Sequence, residues 1–243
     1  MTADATRPKL RGTARSGASL VPDSPGIRSY AGRRGRLTSG QRRAIGQFWS
    51  RYGIDDWESL DVVEAFGRRA PLMVEVGFGM GDTLVSMAAR HPDRNYLGIE
   101  VYVPGIGAAL HAIEVRGLEN IRLIRADAVA VLDALDDASL DAVLVFFPDP
   151  WPKKRHHKRR LIQAPFVNIV ALKLKVGGRF ELATDWVPYA SEMIRVIEGH
   201  GGFSNLAGKV GYVDGPSERP PTKFERRGER LGHAIFDLVF ERR

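Results

Sequence analysis

The stretch Leu72-Met-Val-Glu-Val-Gly-Phe-Gly-Met-Gly-Asp82 decides the fold. Its first five residues are apolar except for Glu75, the pattern of a strand buried on both faces. Glycines at 77, 79 and 81 then bridge that strand to a helix in which Leu84, Val85, Met87 and Ala88 face the sheet. Asp82 is placed to cap that helix. A glycine turn of this kind lets the backbone approach a ligand closely and aims helix N-terminal amides at it.

Outward from this unit, strand and helix alternate. Residues 95–100 read as a second strand, 103–116 as a helix stopped by Gly117, and 121–125 as a third strand. A short helix reaching Leu135 leads to a buried strand over 142–147. A helix over 161–175 is expected to end at Gly177-Gly178, before a strand over 179–183 and a helix from Val187 to about Glu198. The last strand, 234–240, has no helix after it and is expected as an antiparallel edge or an inserted strand. Upstream, Thr38 or Ser39 can cap a helix running through Ala44, Ile45, Phe48 and Trp49. The alternation predicts an α/β fold with a doubly wound, mostly parallel sheet covered on both faces.

Composition narrows the function. The 243 residues are 44% apolar and 27% charged, ordinary for a globular protein, and contain no cysteine, which removes disulfides and thiolate metal sites. No apolar run is long enough to span a bilayer, and no signal-peptide core follows Met1, so a cytoplasmic location is expected. The net charge of +7 is unevenly spread: ten basic residues against two acidic ones precede Ala44, so the rest is almost neutral. Such clustering suits a polyanionic partner, nucleic acid above all. Residues 1–26, rich in Arg, Ser, Gly and Pro, are expected to be a disordered basic arm, and 27–243 a single domain.

Two groups of residues carry the chemistry. In the first, the glycines at 77, 79 and 81 stand beside Glu75, Glu100 and Asp127, acids that end or flank three successive strands. An acid at the end of the second strand can hydrogen-bond ribose hydroxyls. A dinucleotide fingerprint would need glycine where Asp82 stands, so a neutral or cationic nucleoside cofactor fits better than NAD. Asp127 has a plainer reading as the cap of the following helix. The second group follows the 142–147 strand: Pro148-Asp-Pro-Trp-Pro-Lys-Lys-Arg-His-His-Lys-Arg-Arg160. It puts an acid, an aromatic plane and a polyanion-binding surface beyond the carboxyl end of a strand, where open α/β sheets bind ligands. Trp151 is equally readable as a stacking platform and as a core residue. His156 and His157 read as loop residues, and no metal ligand set is present.

Glu75-Val-Gly-Phe-Gly-Met-Gly81, Gly98-Ile-Glu100, Phe146-Phe-Pro-Asp-Pro-Trp151, Lys158-Arg-Arg160, Ala183-Thr-Asp-Trp186 and Thr222-Lys-Phe-Glu225 together resemble the bacterial tRNA (guanine-N7)-methyltransferases. The resemblance runs from about Arg28 to the C-terminus; the arginine-rich arm lies outside it. It implies the class I S-adenosylmethionine-dependent fold, a seven-stranded sheet with one antiparallel strand, and methylation of a guanine in the tRNA variable loop. It implies cofactor contacts from Glu75, Gly77, Gly79, Gly81, Glu100, Asp127 and Asp149, with Asp149 also the catalytic candidate. Lys153, Asp185, Thr222, Lys223, Phe224 and Glu225 are then substrate contacts, and Arg155, His156, His157, Lys158, Arg159 and Arg160 the RNA contact. No obligate protein partner is implied, and either a monomer or a homodimer is compatible. The chemistry agrees: guanine N7 carries a free lone pair, so a fixed carboxylate near the base can stabilise the charge that develops there. Two other functions compete. An exocyclic-amine methyltransferase would carry a second proline where Trp151 stands, and a non-catalytic RNA-binding module has no need of acids at three strand ends.

Overall fold

The computed structural model describes residues 35–208, 211–213, 219–220, 225 and 234–243. The proposed arm at 1–26 lies outside these residues, as do Thr222, Lys223 and Phe224. Helix α1 (Ser39–Tyr52) opens the described chain, capped by Thr38: its hydroxyl accepts from Gln41 N at 3.2 Å while the Gln41 side chain accepts from Thr38 N at 3.0 Å. This reciprocal pair satisfies two amides that a helix start leaves without partners. A two-residue strand, β1 (Gly53–Ile54), and a short helix, α2 (Val62–Phe66), follow.

Strands β2 (Leu72–Val76), β3 (Asn95–Ile99), β4 (Ile121–Ile124), β5 (Leu140–Phe146) and β6 (Leu174–Thr184) run parallel. They alternate with α3 (Asp82–Arg90), α4 (Val103–Arg116), α5 (Ala128–Ala134) and α6 (Ala164–Lys173). After α7 (Val187–Gly199) come β7 (Phe203–Asn205) and β8 (Phe236–Arg242). The sheet order is β1-β4-β3-β2-β5-β6-β8-β7. Because β8 is antiparallel to both neighbours, it is the inserted strand that the missing helix after it required. The eighth strand is β1, paired to β4 at the far edge and too short to leave a sequence signal.

Two apolar layers sandwich the sheet. One joins Val74, Leu97, Val143 and Leu182 to α5, α6 and α7; the other joins Tyr96, Leu144 and Leu84 to α1 and α4. Every residue of β2 and β3 is buried, which is why β2 reads as apolar on both faces apart from Glu75. Two expectations need correction. Asp82 is not the cap of α3; Gly81, at φ +82°, takes that position, with no side-chain cap bond. Nor does Gly177-Gly178 end a helix. Helix α6 stops at Lys173, and both glycines lie inside β6, where pairing with β5 slips from Leu140–Leu174 to Ala142–Arg179. Gly177, at φ +80°, allows that irregularity. Among the described residues no helix is long and apolar enough to cross a membrane.

Candidate active site

The chain leaves β2 to build β3 and β4 on one side, then returns to build β5 and β6 on the other. That reversal is the point where an open sheet leaves a crevice between adjacent strand ends. Both sequence-predicted groups converge there. The glycine turn leaves β2, and the strap Phe147-Pro-Asp-Pro-Trp151 leaves its neighbour β5, with Glu75 level with Leu144 in the pairing.

On the first side the turn is shaped by its own backbone. Gly77 N donates to Ile99 O at 2.8 Å and Gly81 N to Phe78 O at 2.9 Å. Glu100 completes it: Oε2 accepts from Gly79 N at 2.9 Å, and Oε1 from Val101 N and Tyr102 N at 2.7 and 2.9 Å. A Cβ on Gly105 at the start of α4 would come 1.9 Å from Gly79 O, so only glycine lets this helix approach the turn so closely. At Gly77 and Gly79, by contrast, a Cβ would meet nothing within 4 Å, so the turn borders open space. Glu75 lies behind it, 3% exposed, and its Oε2 has no hydrogen-bond partner. Burial, reinforced by the Glu100 carboxylate, pushes its pKa up to about 8. Asp127 caps α5 by accepting from Val129 N at 2.9 Å, as its plainer reading had it.

On the second side the strap is strained. Phe147 and Trp151, at its two ends, have φ of +51° and +42°, a region that residues with a Cβ seldom occupy. Asp149 stands between them. Its neighbours Pro148 and Pro150 have no amide hydrogen, so neither can donate to an anchor. At the front end Phe147 N donates to Ala183 O at 2.8 Å. Asp185 follows β6 at the adjacent strand end, where Trp186 N donates to Thr184 Oγ1 at 3.2 Å. The cationic run forms a 3-10 turn, Lys154–Arg159. Lys153, Arg155, Lys158 and Arg159 are exposed, and His156 and His157 partly so. Trp151 meets His156 edge-on at 5.8 Å and carries the Arg159 guanidinium over its ring at 5.0 Å. Desolvation, then the charges of Arg159, Arg155 and Lys153, lowers the His156 pKa.

One predicted RNA contact lies inside the fold. Arg160 is 1% exposed, and its guanidinium turns inward to pair with Glu192 and lie over the Tyr189 ring. A run of like cations gives no sign of which member points inward. Sequence reasoning also missed Arg219. Buried at 2% exposure, it grips Asp237 of β8 through Nε and Nη2 at 2.7 and 2.8 Å and donates to Glu225 through Nη1. Its guanidinium also lies 5.8 and 5.5 Å from the rings of Phe146 and Phe147. Glu225, a predicted substrate contact, is therefore buried in an ion pair. The only advance signal for Arg219 was a lone arginine three residues before Thr222.

Comparison with known proteins agrees with this architecture. A family model described as "Putative methyltransferase" matches residues 69–238. The tRNA (guanine-N(7)-)-methyltransferase of Yersinia pseudotuberculosis serotype O:1b is 52% identical over 219 residues, spanning 89% of this chain and 92% of that protein. Its counterpart in Serratia proteamaculans is 51% identical over the same spans. Among solved structures, the aminoglycoside resistance methyltransferase NpmB1 superposes with a TM-score of 0.51 at 16% identity, covering 74% of this chain and 91% of that one. A mutant 16S rRNA (adenine(1408)-N(1))-methyltransferase from Catenulisporales acidiphilia, solved with cosubstrate SAM, gives 0.51 at 18%, covering 77% and 90%. At those identities the two structures speak for the fold alone. At the sequence level the match spans nearly the whole of both chains, and the chain belongs to the bacterial tRNA (guanine-N7)-methyltransferase family.

Proposed function

We propose that this protein methylates N7 of a guanine in the variable loop of tRNA, taking the methyl group from S-adenosylmethionine. The observation that carries the reading is the strained strap, which fixes Asp149 between an acid-lined glycine turn and an exposed cationic turn. The residues present suit that donor. Glu75 offers a buried carboxyl oxygen without a protein partner, and open space lies over Gly77 and Gly79. Glu75, Gly77, Gly79, Gly81, Glu100, Asp127 and Asp149 would hold it. Once bound, it supplies a methyl group made electrophilic by a sulfonium. Glu100 would face the ribose while still shaping the turn, since a carboxylate has room for about four hydrogen bonds and three are used.

The remaining chemistry belongs to the chain. Neutral guanine has a lone pair at N7, so methylation there needs no proton removed, and positive charge arrives on the purine. A carboxylate fixed beforehand stabilises that charge more than it stabilises the starting base. Asp149 takes this role, and Asp185 grips the base edge from the neighbouring strand end. Lys153 and the exposed cations Arg155, Lys158 and Arg159 hold phosphates beside it. A cytoplasmic location suits such a substrate.

The test is single-turnover methylation at saturating tRNA from about pH 6 to about pH 9. The wild-type rate is expected to show no tenfold rise per pH unit, because attack by the N7 lone pair removes no proton. Asp149→Asn keeps the shape and removes the charge, at a cost of about 3–4 kcal/mol in the barrier. Asp149→Glu moves the charge by about 1 Å and recovers little. A wild-type rate rising tenfold per pH unit, with the slope abolished in Asp149→Asn, would make Asp149 a base. It would also restore the exocyclic-amine alternative.

A further inference from the structure

We infer that Arg160 is a positioning residue for Asp149 and not a contact to RNA. The inference rests on the catalytic reading of Asp149. The strap needs a hold at each end, because both of its terminal residues sit in the left-handed region. The Phe147 end has the backbone bond to Ala183 O. At the other end, Arg160 Nε donates to Pro150 O at 2.9 Å, and that carbonyl belongs to the residue immediately after Asp149. Pro148 and Pro150 contribute no amide hydrogen, and the Pro150 carbonyl offers a handle to a donor from outside the strap. Arg160 is itself held from α7, by the Glu192 carboxylate at Nη1 and by the Tyr189 ring 4.7 Å away. Tyr189 is in turn fixed, its hydroxyl accepting from Ile162 N at 3.2 Å. A guanidinium taken out of water at 1% exposure is costly to place, and even its Nη2, which has no hydrogen-bond partner, is buried out of a phosphate's reach. Its neighbour Arg159 remains exposed, against the face of Trp151. Two adjacent arginines thus divide the work: one meets the substrate, the other sets the geometry of the carboxylate.

The experiment combines single-turnover rates at saturating tRNA and methyl donor with tRNA binding over a range of salt. Arg160→Lys keeps the charge but loses the planar fork that reaches Pro150 O and Glu192 together. It is expected to slow methylation by about 10- to 100-fold, as a misplaced catalytic group does, with tRNA affinity and salt slope unchanged. Arg159→Gln is expected to lower the salt slope. In the double variant Asp149→Asn/Arg160→Lys, the second change should cost nothing further, because Arg160 acts through Asp149. Should Arg160→Lys fail to fold, Glu192→Gln takes its place: it loosens the hold on the guanidinium and should slow methylation by a smaller factor, again at constant salt slope. A wild-type rate in these variants, or a salt slope lowered as in Arg159→Gln, overturns the proposal. So does additivity in the double variant when Asp149→Asn alone is slow. An Asp149→Asn enzyme as fast as wild type overturns the catalytic reading itself, and the proposal with it.

Discussion

The two banks of the crevice are built by different means. The glycine-turn bank is held by backbone amides, with the carboxylate of Glu100 accepting three of them, from its neighbours Val101 and Tyr102 and from Gly79 in the turn. The strap bank is held by buried guanidinium groups, whose partners lie 32 residues away for Arg160–Glu192 and 18 for Arg219–Asp237. Amide scaffolding survives most side-chain changes. A buried ion network does not, because removing one member strands the others without water. Stability and catalysis should therefore be separable on the first bank and entangled on the second.

The largest effect should come from Arg219. Replacing it with Met leaves Asp237 and Glu225 buried without their cation, and breaking a buried pair in this way costs about 3–5 kcal/mol. Chemical denaturation should show a lower midpoint at unchanged slope. Replacing all three members with apolar residues of similar size should restore much of the stability. A stable Arg219→Met with wild-type activity would break the comparison, making the second bank as tolerant as the first.

That contrast also explains what could be read from the chain. The parallel sheet was legible because β2, apart from Glu75, and β5 from Ala142 onward are apolar runs, and because glycine punctuation marked where α4 stops. Glu75 and Glu100 were legible because their spacing from the glycines fixes their place at strand ends. The burial of Arg160 was not legible because burial of one cation in a basic run depends on Glu192 and Tyr189, which only the packing of α7 brings near. Arg219 was missed for the same reason: its partner on β8 arrives by insertion of that strand between β6 and β7. The glycines at 177 and 178 misled because an α6 stop and an irregularity in β6 use the same residue type.

A pH series on stability sharpens the first bank. In the native protein Glu75 holds its proton up to about pH 8, against 4.5 for the free side chain, because of burial and then the Glu100 charge. Between those values unfolding releases a proton, so this contribution is fully present below pH 4.5 and is lost as pH rises through 8. Glu75→Gln removes the titration, flattens that descent and should leave the variant more stable than wild type at about pH 9, by a few kcal/mol at most. Urea midpoints of both proteins across that range are the measurement. The methylation rate of Glu75→Gln should fall even where its stability rises, which is the separability expected of this bank. Parallel pH curves for the two proteins would mean that Glu75 is ionised and partnered in the folded state.

The smallest change in stability, and the most specific in binding, belongs to the exposed cations at the outer edge of the strap. Arg155 and Lys158 lie on the 3-10 turn with their side chains in solvent, unlike Arg160 one residue beyond it. Converting either to Gln should move stability by no more than about 0.5 kcal/mol, as surface substitutions away from buried features do. For every phosphate left without its cation, the slope of log affinity for tRNA against log salt should fall by about 0.7–0.9, because each neutralised phosphate had released its counterion. The methylation rate at saturating tRNA should hold, since neither residue touches the strap's anchors. Titrations at several salt concentrations, with wild type, each single variant and the pair, would show whether the two decreases add. An unchanged slope in the pair would make this turn a bystander and move the RNA-binding role elsewhere, the basic arm being the first place to look. A slope that falls together with the single-turnover rate would instead couple the turn to the strap, and the division drawn between Arg159 and Arg160 would have to be redrawn further out.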